Sequence, residues 1–359
     1  MSKKLSIAIL YGGRSVEHEI SIRSAKNVLE NIDNESFSII LLGISKNGSW
    51  YLNKTIDDEI NSGVSVSINL DASAPHLIEN KSGSVIKIDV VFPVLHGTDG
   101  EDGSIQGLFK SLNLPVVGSS VLGSAISMDK IISKKILKEC GIPVAAYLEF
   151  DRLQKDSIKF DEIVDNVGLP FMIKSAALGS SVGISMIKSE KDFPGALENS
   201  FKYGDKVIIE QFVKGRELEC AVMGNEQPKA TVPGEILMIK DYDFYTYTAK
   251  YLDEEAIEIR LPADVDESMT EEIKRISILA YQALRCEDYA RVDLFISEEG
   301  EIIINEINTI PGFTNASMFP MMWKEMGISF NELISELISL CLKRYYGSKD
   351  LETEYNGVN

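Results

Sequence analysis

The chain has 359 residues, a formal net charge of −19, 44% hydrophobic residues and 25% charged residues. This length suggests two or three domains, and the composition is typical of packed cores rather than disorder. The acidic balance argues against nucleic-acid binding, because no cluster of Lys and Arg reverses it locally. No apolar stretch approaches the ~18 residues that span a bilayer, so we expect a cytoplasmic protein that binds no membrane.

In the first third of the chain, strand and helix patterns alternate, with one helix predicted from Val16 to Ile32. The predicted buried strands are residues 5–11, 38–44 and 87–95. This alternation favours a parallel sheet covered by helices. The polar residues 53–84 give the weakest pattern in this region.

The remaining chain predicts a second, smaller sheet and several helices. A helix from an N-cap at Ser127 to Cys140 marks the expected first domain boundary. The strands predicted for the second sheet are 169–175, 183–187, 206–213 and 217–223. Further elements are a helix over 267–285, a hairpin of 290–296 and 301–307, and a helix over 329–345. The polar residues after 347 are expected to fray.

The four cysteines are widely spaced and form no CxxC pair; they are Cys140, Cys220, Cys286 and Cys341. We interpret them as buried or inert thiols of a reducing compartment, with a catalytic cysteine as the alternative. Only three histidines are present, which argues against a histidine-rich zinc site.

The C-terminal hairpin carries the most informative polar pattern. Because side chains alternate along a strand, Arg291 and Asp293 share one face, and Ile304, Glu306 and Asn308 share a face of the partner strand. If the two faces coincide, two carboxylates and a carboxamide converge, and such hard oxygen ligands suit magnesium. A solvated hairpin face is the alternative, although the Gly- and Pro-containing segment that follows favours a site.

Three further motifs each allow a functional and a structural interpretation. Lys174 with the Gly/Ser residues 179–183 can grip phosphate or form a plain β-turn, and it lacks the P-loop pattern. Glu17, after the Gly12-Gly13 turn, can hold a substrate ammonium or simply complement a helix dipole. Residues 241–251 contain four tyrosines beside Lys250, and they form either a lid that excludes water or a packed surface loop.

Together these motifs resemble the D-alanine–D-alanine ligases of the ATP-grasp superfamily over roughly residues 5–342. The matching segments are LYGGRSVEHEIS (10–21), VLHGTDGEDGSIQG (94–107), SMDK (127–130), KSAALGSSVG (174–183), TAKY (248–251), ARVDLF (290–295) and NEINTIPGFT (305–314). The resemblance implies an α/β and α+β chain with an ATP-grasp fold behind an N-terminal Rossmann-like parallel-sheet domain. The implied units are that N-terminal domain (1–126), a central ATP-grasp subdomain (127–216), a C-terminal subdomain with the hairpin and lid (217–347), and a polar tail (348–359).

The resemblance also implies a reaction. ATP phosphorylates the carboxylate of one D-alanine, the amine of a second D-alanine attacks the acylphosphate, and phosphate leaves to give the peptidoglycan dipeptide. Phosphoryl transfer depends on positioning and charge neutralisation, which makes Mg²⁺ the expected metal, with Mn²⁺ as a substitute. A homodimer is the implied assembly.

In the substrate site implied by this resemblance, Glu17 holds the first ammonium and forms a hydrogen-bonded set with Ser180 and Tyr251. Arg291 and the Gly312 N–H stabilise the oxyanion. The second substrate is received by Ser317 with Met318, and His96 lies near the substrates. The implied metal ligands are Asp293, Glu306 and Asn308. The implied ATP-binding residues are Lys130, Lys174, Ser181, Glu210, Gln211, Phe212, Val213, Glu217 and Lys250.

A few positions depart from the family pattern. Ser175 stands where proline usually follows the lysine, the residues before Gly179 are uncharged, and Asn315-Ala316 replaces a larger residue. Tyr251 argues against D-lactate and Met318 favours D-alanine as the second substrate, with a D-alanine–D-serine ligase of the vancomycin-resistance type as the runner-up. A non-catalytic nucleotide-binding module and a different carboxylate–amine ligase are the competing functions. The missing GxGxxG disfavours a dehydrogenase.

Overall fold

A computed structural model of the chain describes residues 4–56, 59–179, 182–240, 253 and 255–349. Within these residues the strands form three sheets. The first sheet contains β1 (Leu5–Gly12), β2 (Phe37–Ile44), β3 (Trp50–Asn53), β4 (Val64–Asn69), β5 (His76–Glu79), β6 (Val85–Lys87) and β7 (Val90–Pro93). Their order is β6-β5-β4-β3-β2-β1-β7.

The prediction of a parallel sheet is right for the centre of this first sheet and wrong for its edge. β1 pairs in parallel with β2 and β7, whereas β2 to β6 pair in antiparallel order. The polar residues 53–84 supply two of these strands, β4 and β5, and their short connections can join only antiparallel neighbours. Helix α1 (His18–Asn31) begins two residues later than predicted, since Val16 and Glu17 form a turn.

Two helices replace the single helix that we predicted from Ser127 to Cys140. They are α3 (Val121–Met128) and α4 (Lys130–Glu139), which follow α2 (Ser104–Ser111). The Asp129 carboxylate accepts hydrogen bonds from the backbone N–H groups of Ile131 and Ile132, so Asp129 is the N-cap of α4. Ser127 is buried inside α3 and contacts the Cys286 sulfur instead.

The second sheet is antiparallel, with the order β10-β9-β11-β8. Its strands are β8 (Tyr147–Asp151), β9 (Phe171–Ser175), β10 (Ser185–Ile187) and β11 (Lys206–Gln211), and its helices are α5 (Phe160–Val167) and α6 (Phe193–Phe201). Alternation divides the strand side chains between two faces. Phe171, Ile173 and Ile209 pack on the helices, so Lys174 and Glu210 project from the opposite face.

The third sheet has the order β15-β14-β12-β16-β17, and β13 pairs with β12. Its strands are β12 (Gly215–Met223), β13 (Lys229–Ala230), β14 (Gly234–Met238), β15 (Ile257–Arg260), β16 (Tyr289–Ser297) and β17 (Ile302–Asn308). The helices that accompany it are α7 (Glu267–Ala283), α8 (Met318–Glu325) and α9 (Phe330–Ser348). One apolar cluster joins this sheet to the first sheet, with Tyr289, Phe313 and Phe319 packed among side chains of β1 and β7.

A β-bulge changes the predicted faces of the C-terminal hairpin. Asp293 lies opposite Glu306, but Leu294 lies opposite Ile304, so Asn305 is the extra residue of β17. A bulge of this kind reverses the alternation beyond it. Ile304 is therefore on the opposite face from Glu306 and is fully buried with Leu294, which corrects the prediction that it shares the polar face.

Three of the four cysteines are buried as expected, and Cys140 is exposed. Burial raises the pKa of Cys220 and of Cys286 to about 11, which keeps both thiols protonated. Within the described residues no helix combines the length and apolar character needed to cross a membrane. The domain boundaries at residues 126, 216 and 347 stay predictions.

Candidate active site

A first cavity of about 330 Å³ lies between the second and third sheets. Apolar side chains such as Met172, Ile184 and Leu237 line it and can enclose a flat aromatic base. Seven of the predicted ATP-binding residues line the same cavity; they are Lys130, Lys174, Glu210, Gln211, Phe212, Val213 and Glu217.

Buried lysines surround the Glu210 carboxylate in this cavity. Its Oε2 lies 3.3 Å from Lys174 Nζ and 3.5 Å from Lys134 Nζ. Burial alone would raise the pKa of Glu210, but the two ammonium groups outweigh it and lower that pKa. Burial lowers the pKa of Lys134 itself. Lys134 was not predicted from the sequence as a site residue, although its position four residues after Lys130 places both on one helix face.

Lys130 lines the first cavity and pairs with Glu306, which also lines a second cavity. Its ammonium donates to the Leu178 carbonyl at 2.9 Å and lies 3.1 Å from Glu306 Oε2. Burial opposes its charge, yet the Glu306 carboxylate prevails and raises the pKa of Lys130. Glu306 lines both cavities, so a ligand in either one can reach the same carboxylate.

The second cavity has a volume of about 620 Å³ and lies between the third sheet and the loops that follow β1 and β7. It brings together residues that are far apart in the chain. The predicted site residues that line it are Glu17, His96, Arg291, Glu306, Asn308, Gly312, Ser317 and Met318.

The Arg291 guanidinium grips Asp293 in a bidentate ion pair, with Nε and one terminal nitrogen each 2.7 Å from a carboxylate oxygen. Arg291 Nε also lies 3.1 Å from Glu219 Oε2. The Asn308 amide donates to Asp293 at 2.9 Å, which leaves its carbonyl oxygen as an acceptor. The predicted ligands Asp293, Glu306 and Asn308 are two carboxylates and a carboxamide. Oxygen donors of these kinds suit Mg²⁺, so the three side chains fit the metal.

Two buried carboxyl groups lie near the first turn of α1. Glu101 accepts a hydrogen bond from the Gly97 N–H at 2.9 Å. Burial raises the pKa of Glu101 well above its usual range, and the nearby Glu17 raises it further. Gly97 has φ +75, and a Cβ there would lie 2.5 Å from Glu17 Oε2. Glu101 was missed as a site residue, although it belongs to the segment 94–107.

The loop between β17 and α8 carries Gly312 and Ser317. Ser317 Oγ accepts from the Thr314 N–H at 3.0 Å and lies 2.8 Å from Thr314 Oγ1. A Cβ on Gly312 would lie 2.7 Å from Ser317 Oγ, so glycine permits this close approach. Met318 is buried and packs over Gly234 at one side of the cavity.

His96 is buried between the first sheet and this loop. Its Nδ1 lies 3.0 Å from the Ile310 carbonyl oxygen, and its Nε2 lies 2.9 Å from Ser24 Oγ. Because a carbonyl can only accept, the proton is on Nδ1. Burial lowers the pKa of His96 to about 4, so the imidazole is neutral at physiological pH.

We expect His96 to make the fold sensitive to acid. Its folded pKa of about 4 lies below the ordinary value of 6.5, so the unfolded chain binds the proton first. Protonation of His96 in the unfolded chain therefore lowers the free energy of unfolding, by roughly 3 kcal/mol as the pH falls from about 6.5 to about 4. Above about pH 6.5 His96 is neutral in both states, and this loss of stability is absent. Urea titrations should show a shallower decline for His96→Gln over that interval; equal slopes in both proteins would contradict this assignment.

Several predicted residues lie outside the described part of the chain. They are Ser180, Ser181, Lys250 and Tyr251, together with the rest of the aromatic segment 241–251.

Two family models match this chain: the D-ala D-ala ligase N-terminus over residues 6–119 and the D-ala D-ala ligase C-terminus over residues 136–339. The chain belongs to the D-alanine–D-alanine ligase family. The resemblance inferred from the sequence motifs is thereby confirmed. Ligases of this family depend on ATP and have the ATP-grasp fold, so this chain is an ATP-dependent ligase of that fold.

Individual members of the D-alanine–D-alanine ligase family match over nearly the whole chain. The ligase of Shouchella clausii is 46% identical, with 98% of each chain covered. Ligase A of Escherichia coli is 42% identical over 98% of this chain and 99% of its own. The solved ligase of Coxiella burnetii superimposes with a TM-score of 0.86 at 35% identity, covering 97% of both chains. The VanG D-Ala:D-Ser ligase of Enterococcus faecalis gives a TM-score of 0.85 at 36% identity, covering 94% of this chain and 100% of its own.

Proposed function

We propose that this chain joins two D-alanine molecules at the expense of ATP and supplies the dipeptide for peptidoglycan. The observation that carries this proposal is the position of Glu306, which lines both cavities and is paired with Lys130. A nucleotide phosphate in the first cavity and a substrate carboxylate in the second would meet at this carboxylate. That arrangement is what the transfer of a phosphoryl group between two bound substrates requires.

In the first cavity, the adenine and ribose would lie against the segment from Glu210 to Val213 and Glu217. Lys130 and Lys174 would contact the phosphates. Their buried ammonium groups neutralise phosphate charge in an environment where water screens little. Ser181 and Lys250, outside the described residues, belong to the same proposal through the family resemblance alone.

The proposed metal ligands are Asp293, Glu306 and Asn308. Bound there, Mg²⁺ or Mn²⁺ would neutralise charge on the phosphates during transfer. Arg291 forms an ion pair with Asp293, and Lys130 forms one with Glu306. These pairs compensate the negative charges of the two carboxylates and hold them in place for the metal. The hydrogen bond from Asn308 to Asp293 fixes the third donor beside them.

In the second cavity, we propose that Glu17 holds the ammonium of the first D-alanine, with Ser180 and Tyr251 in the same hydrogen-bonded set. The carboxylate oxygen of that substrate forms a bond to the γ-phosphorus as the bond to ADP breaks. The amine of the second D-alanine then attacks the acyl carbon and loses a proton, and the bond to phosphate breaks. Arg291 and the Gly312 N–H would stabilise the oxyanion formed in between.

The second substrate would bind beside Ser317 and Met318, and His96 would lie close to both substrates. D-serine is the second candidate, because VanG, a D-Ala:D-Ser ligase, is 36% identical to this chain. The buried Met318 favours D-alanine, since an apolar side chain offers no hydrogen bond to a serine hydroxyl. A panel of D-alanine, D-serine and D-lactate with mass detection of products tests this choice. We expect the alanyl-alanine product to dominate, and a clear preference for D-serine would make the choice of D-alanine wrong.

We further propose a cytoplasmic homodimer that binds neither nucleic acid nor membrane. The net charge of −19 supports the absence of nucleic acid, because an acidic surface repels phosphates. Sedimentation equilibrium tests the dimer, and a monomer at micromolar concentration would contradict it.

A further inference from the structure

Two buried polar side chains of helix α1, Ser24 and Asn27, contact the segment that follows β17. Ser24 is 0% exposed and Asn27 is 5% exposed. They lie three residues apart, so both occupy one face of the helix. Each has a hydrogen-bond partner 286 or more residues away in sequence, in the segment Ile310–Phe313 that follows β17.

Three side chains hold this segment at both of its ends. His96 Nδ1 donates to the Ile310 carbonyl at 3.0 Å. At the other end, the Phe313 N–H donates to Ser24 Oγ at 3.3 Å, and Asn27 Nδ2 donates to the Phe313 carbonyl at 2.6 Å. Ser24 also links the two ends, because its hydroxyl lies 2.9 Å from His96 Nε2.

The direction of each proton in this chain of hydrogen bonds is fixed. The Ile310 carbonyl can only accept, so His96 is protonated on Nδ1 and its Nε2 must accept. The Ser24 hydroxyl therefore donates to Nε2 and receives the Phe313 N–H on a lone pair. Alanine at position 24 would remove both bonds at once and leave a buried N–H and a buried imidazole nitrogen without these partners.

The side chain of Phe313 is also held in place, because its ring packs against other aromatic rings. Its ring lies 5.5 Å from Phe319, 5.7 Å from Tyr289 and 6.1 Å from Phe92 between centroids. Gly312, one residue earlier, has no side chain to hold it. The direction of its N–H therefore depends on the neighbouring residues, which are anchored to α1 and His96.

We propose that Ser24 is a positioning residue for the bond-forming step. With His96 and Asn27, it fixes the segment Ile310–Phe313 so that the Gly312 N–H faces the oxyanion that forms when the second amine attacks. This inference rests on the proposed ligase function. Because α1 begins immediately after Glu17, one rigid helix then sets both the ammonium of the first substrate and the oxyanion donor.

The two chemical steps respond differently to this residue. Phosphorylation of the first D-alanine forms no tetrahedral carbon, so it does not use the oxyanion donor. Attack by the second amine does use it. In Ser24→Ala we expect kcat for dipeptide formation to fall about 10- to 100-fold, since a small misplacement of a preorganised donor has effects of this size. The KM for ATP should stay unchanged.

Isotope exchange separates the two steps. In ATP labelled with ¹⁸O at the β,γ-bridge, the label moves to other β-phosphate oxygens when the acylphosphate forms and then reverts to ATP. This scrambling does not require attack by the second amine. We expect scrambling in Ser24→Ala, with D-alanine present, to persist at the wild-type rate or above while dipeptide formation falls. A parallel loss of both rates would overturn the proposal and leave Ser24 a merely structural residue.

Three further variants complete the test. Asn27→Ala removes the second anchor of Phe313 and should give the same split, which keeps the proposal testable if Ser24→Ala does not fold. Ser24→Thr keeps a hydroxyl and should restore dipeptide formation. Asn166→Ala removes an exposed hydrogen bond to the Glu162 carbonyl within α5, the helix that packs on the second sheet, and should leave both rates unchanged. Wild-type protein that neither scrambles nor forms dipeptide would instead refute the proposed function.

Discussion

Replacing Glu306 by glutamine is expected to lower kcat by about three orders of magnitude while the fold stays intact. Glu306 lies at the junction of both cavities, opposite Asp293 across the bulged hairpin and 3.1 Å from Lys130 Nζ. The amide keeps the shape of the side chain but removes the charge that compensates Lys130 and would hold the metal. Loss of one preorganised electrostatic contact of this kind costs about 10²–10³ in rate, and weaker metal binding adds to it.

The measurement is dipeptide formation over a magnesium titration, with circular dichroism as the check on folding. We expect Glu306→Gln to need more magnesium for half-maximal activity than the wild type. Glu301→Gln is the matched control, because this exposed carboxylate precedes the same strand and should leave kcat unchanged. Near-normal turnover of folded Glu306→Gln at low magnesium would refute the metal assignment.

Arg291→Lys is expected to lower kcat by about 10²–10³. The guanidinium makes two hydrogen bonds of 2.7 Å to Asp293 and lies 3.1 Å from Glu219. A lysine keeps the positive charge but cannot reproduce this planar fork, so the cation would no longer be held where we propose that it stabilises the oxyanion. Steady-state kinetics should show the loss in kcat with little change in the KM for ATP.

Arg291→Met tests the structural part of the same contact. It leaves the buried carboxylates of Asp293 and Glu219 without the guanidinium, and breaking a buried pair in this way costs about 3–5 kcal/mol. Arg275→Met on α7 is the control, because that exposed arginine also forms a bidentate pair with Glu272 and should change stability by under about 1 kcal/mol. Equal free energies of unfolding for the two variants would contradict the assigned contact.

The polar face of the hairpin was predictable because it depends on local periodicity. Arg291, Asp293 and Asn308 converge as alternation indicates, and the opposition of Asp293 and Glu306 follows from pairing of the two strands. The bulge at Asn305 was not predictable, because one inserted residue leaves the hydrophobic pattern almost unchanged. It moved Ile304 into the core without disturbing Glu306.

Two features of the fold depend on contacts that sequence patterns do not encode. The break at Asp129 divides a continuous helical pattern, and only the two backbone N–H groups bound to its carboxylate show where α4 begins. Ser24 looks like an ordinary helix residue until the chain folds. Its partner Phe313 is 289 residues away, and no periodicity connects the two positions.

The roles of Glu101 and Lys134 also arise from tertiary burial rather than from residue type. Neither carboxylates nor lysines are unusual in this acidic chain. Burial beside Glu17 raises the pKa of Glu101, and burial beside Glu210 places Lys134 against the proposed nucleotide site. Site residues of this kind become visible only when the surrounding side chains are in place.

The most direct test of the proposed function is the stoichiometry of the reaction with a single amino acid. Purified protein is incubated with ATP, magnesium and D-alanine, and the dipeptide, ADP and phosphate are quantified together by mass spectrometry and phosphate assay. The proposed function predicts one ADP and one phosphate for every D-alanyl-D-alanine, and no dipeptide from L-alanine. Release of ADP without dipeptide, or no release at all from folded protein, would contradict it.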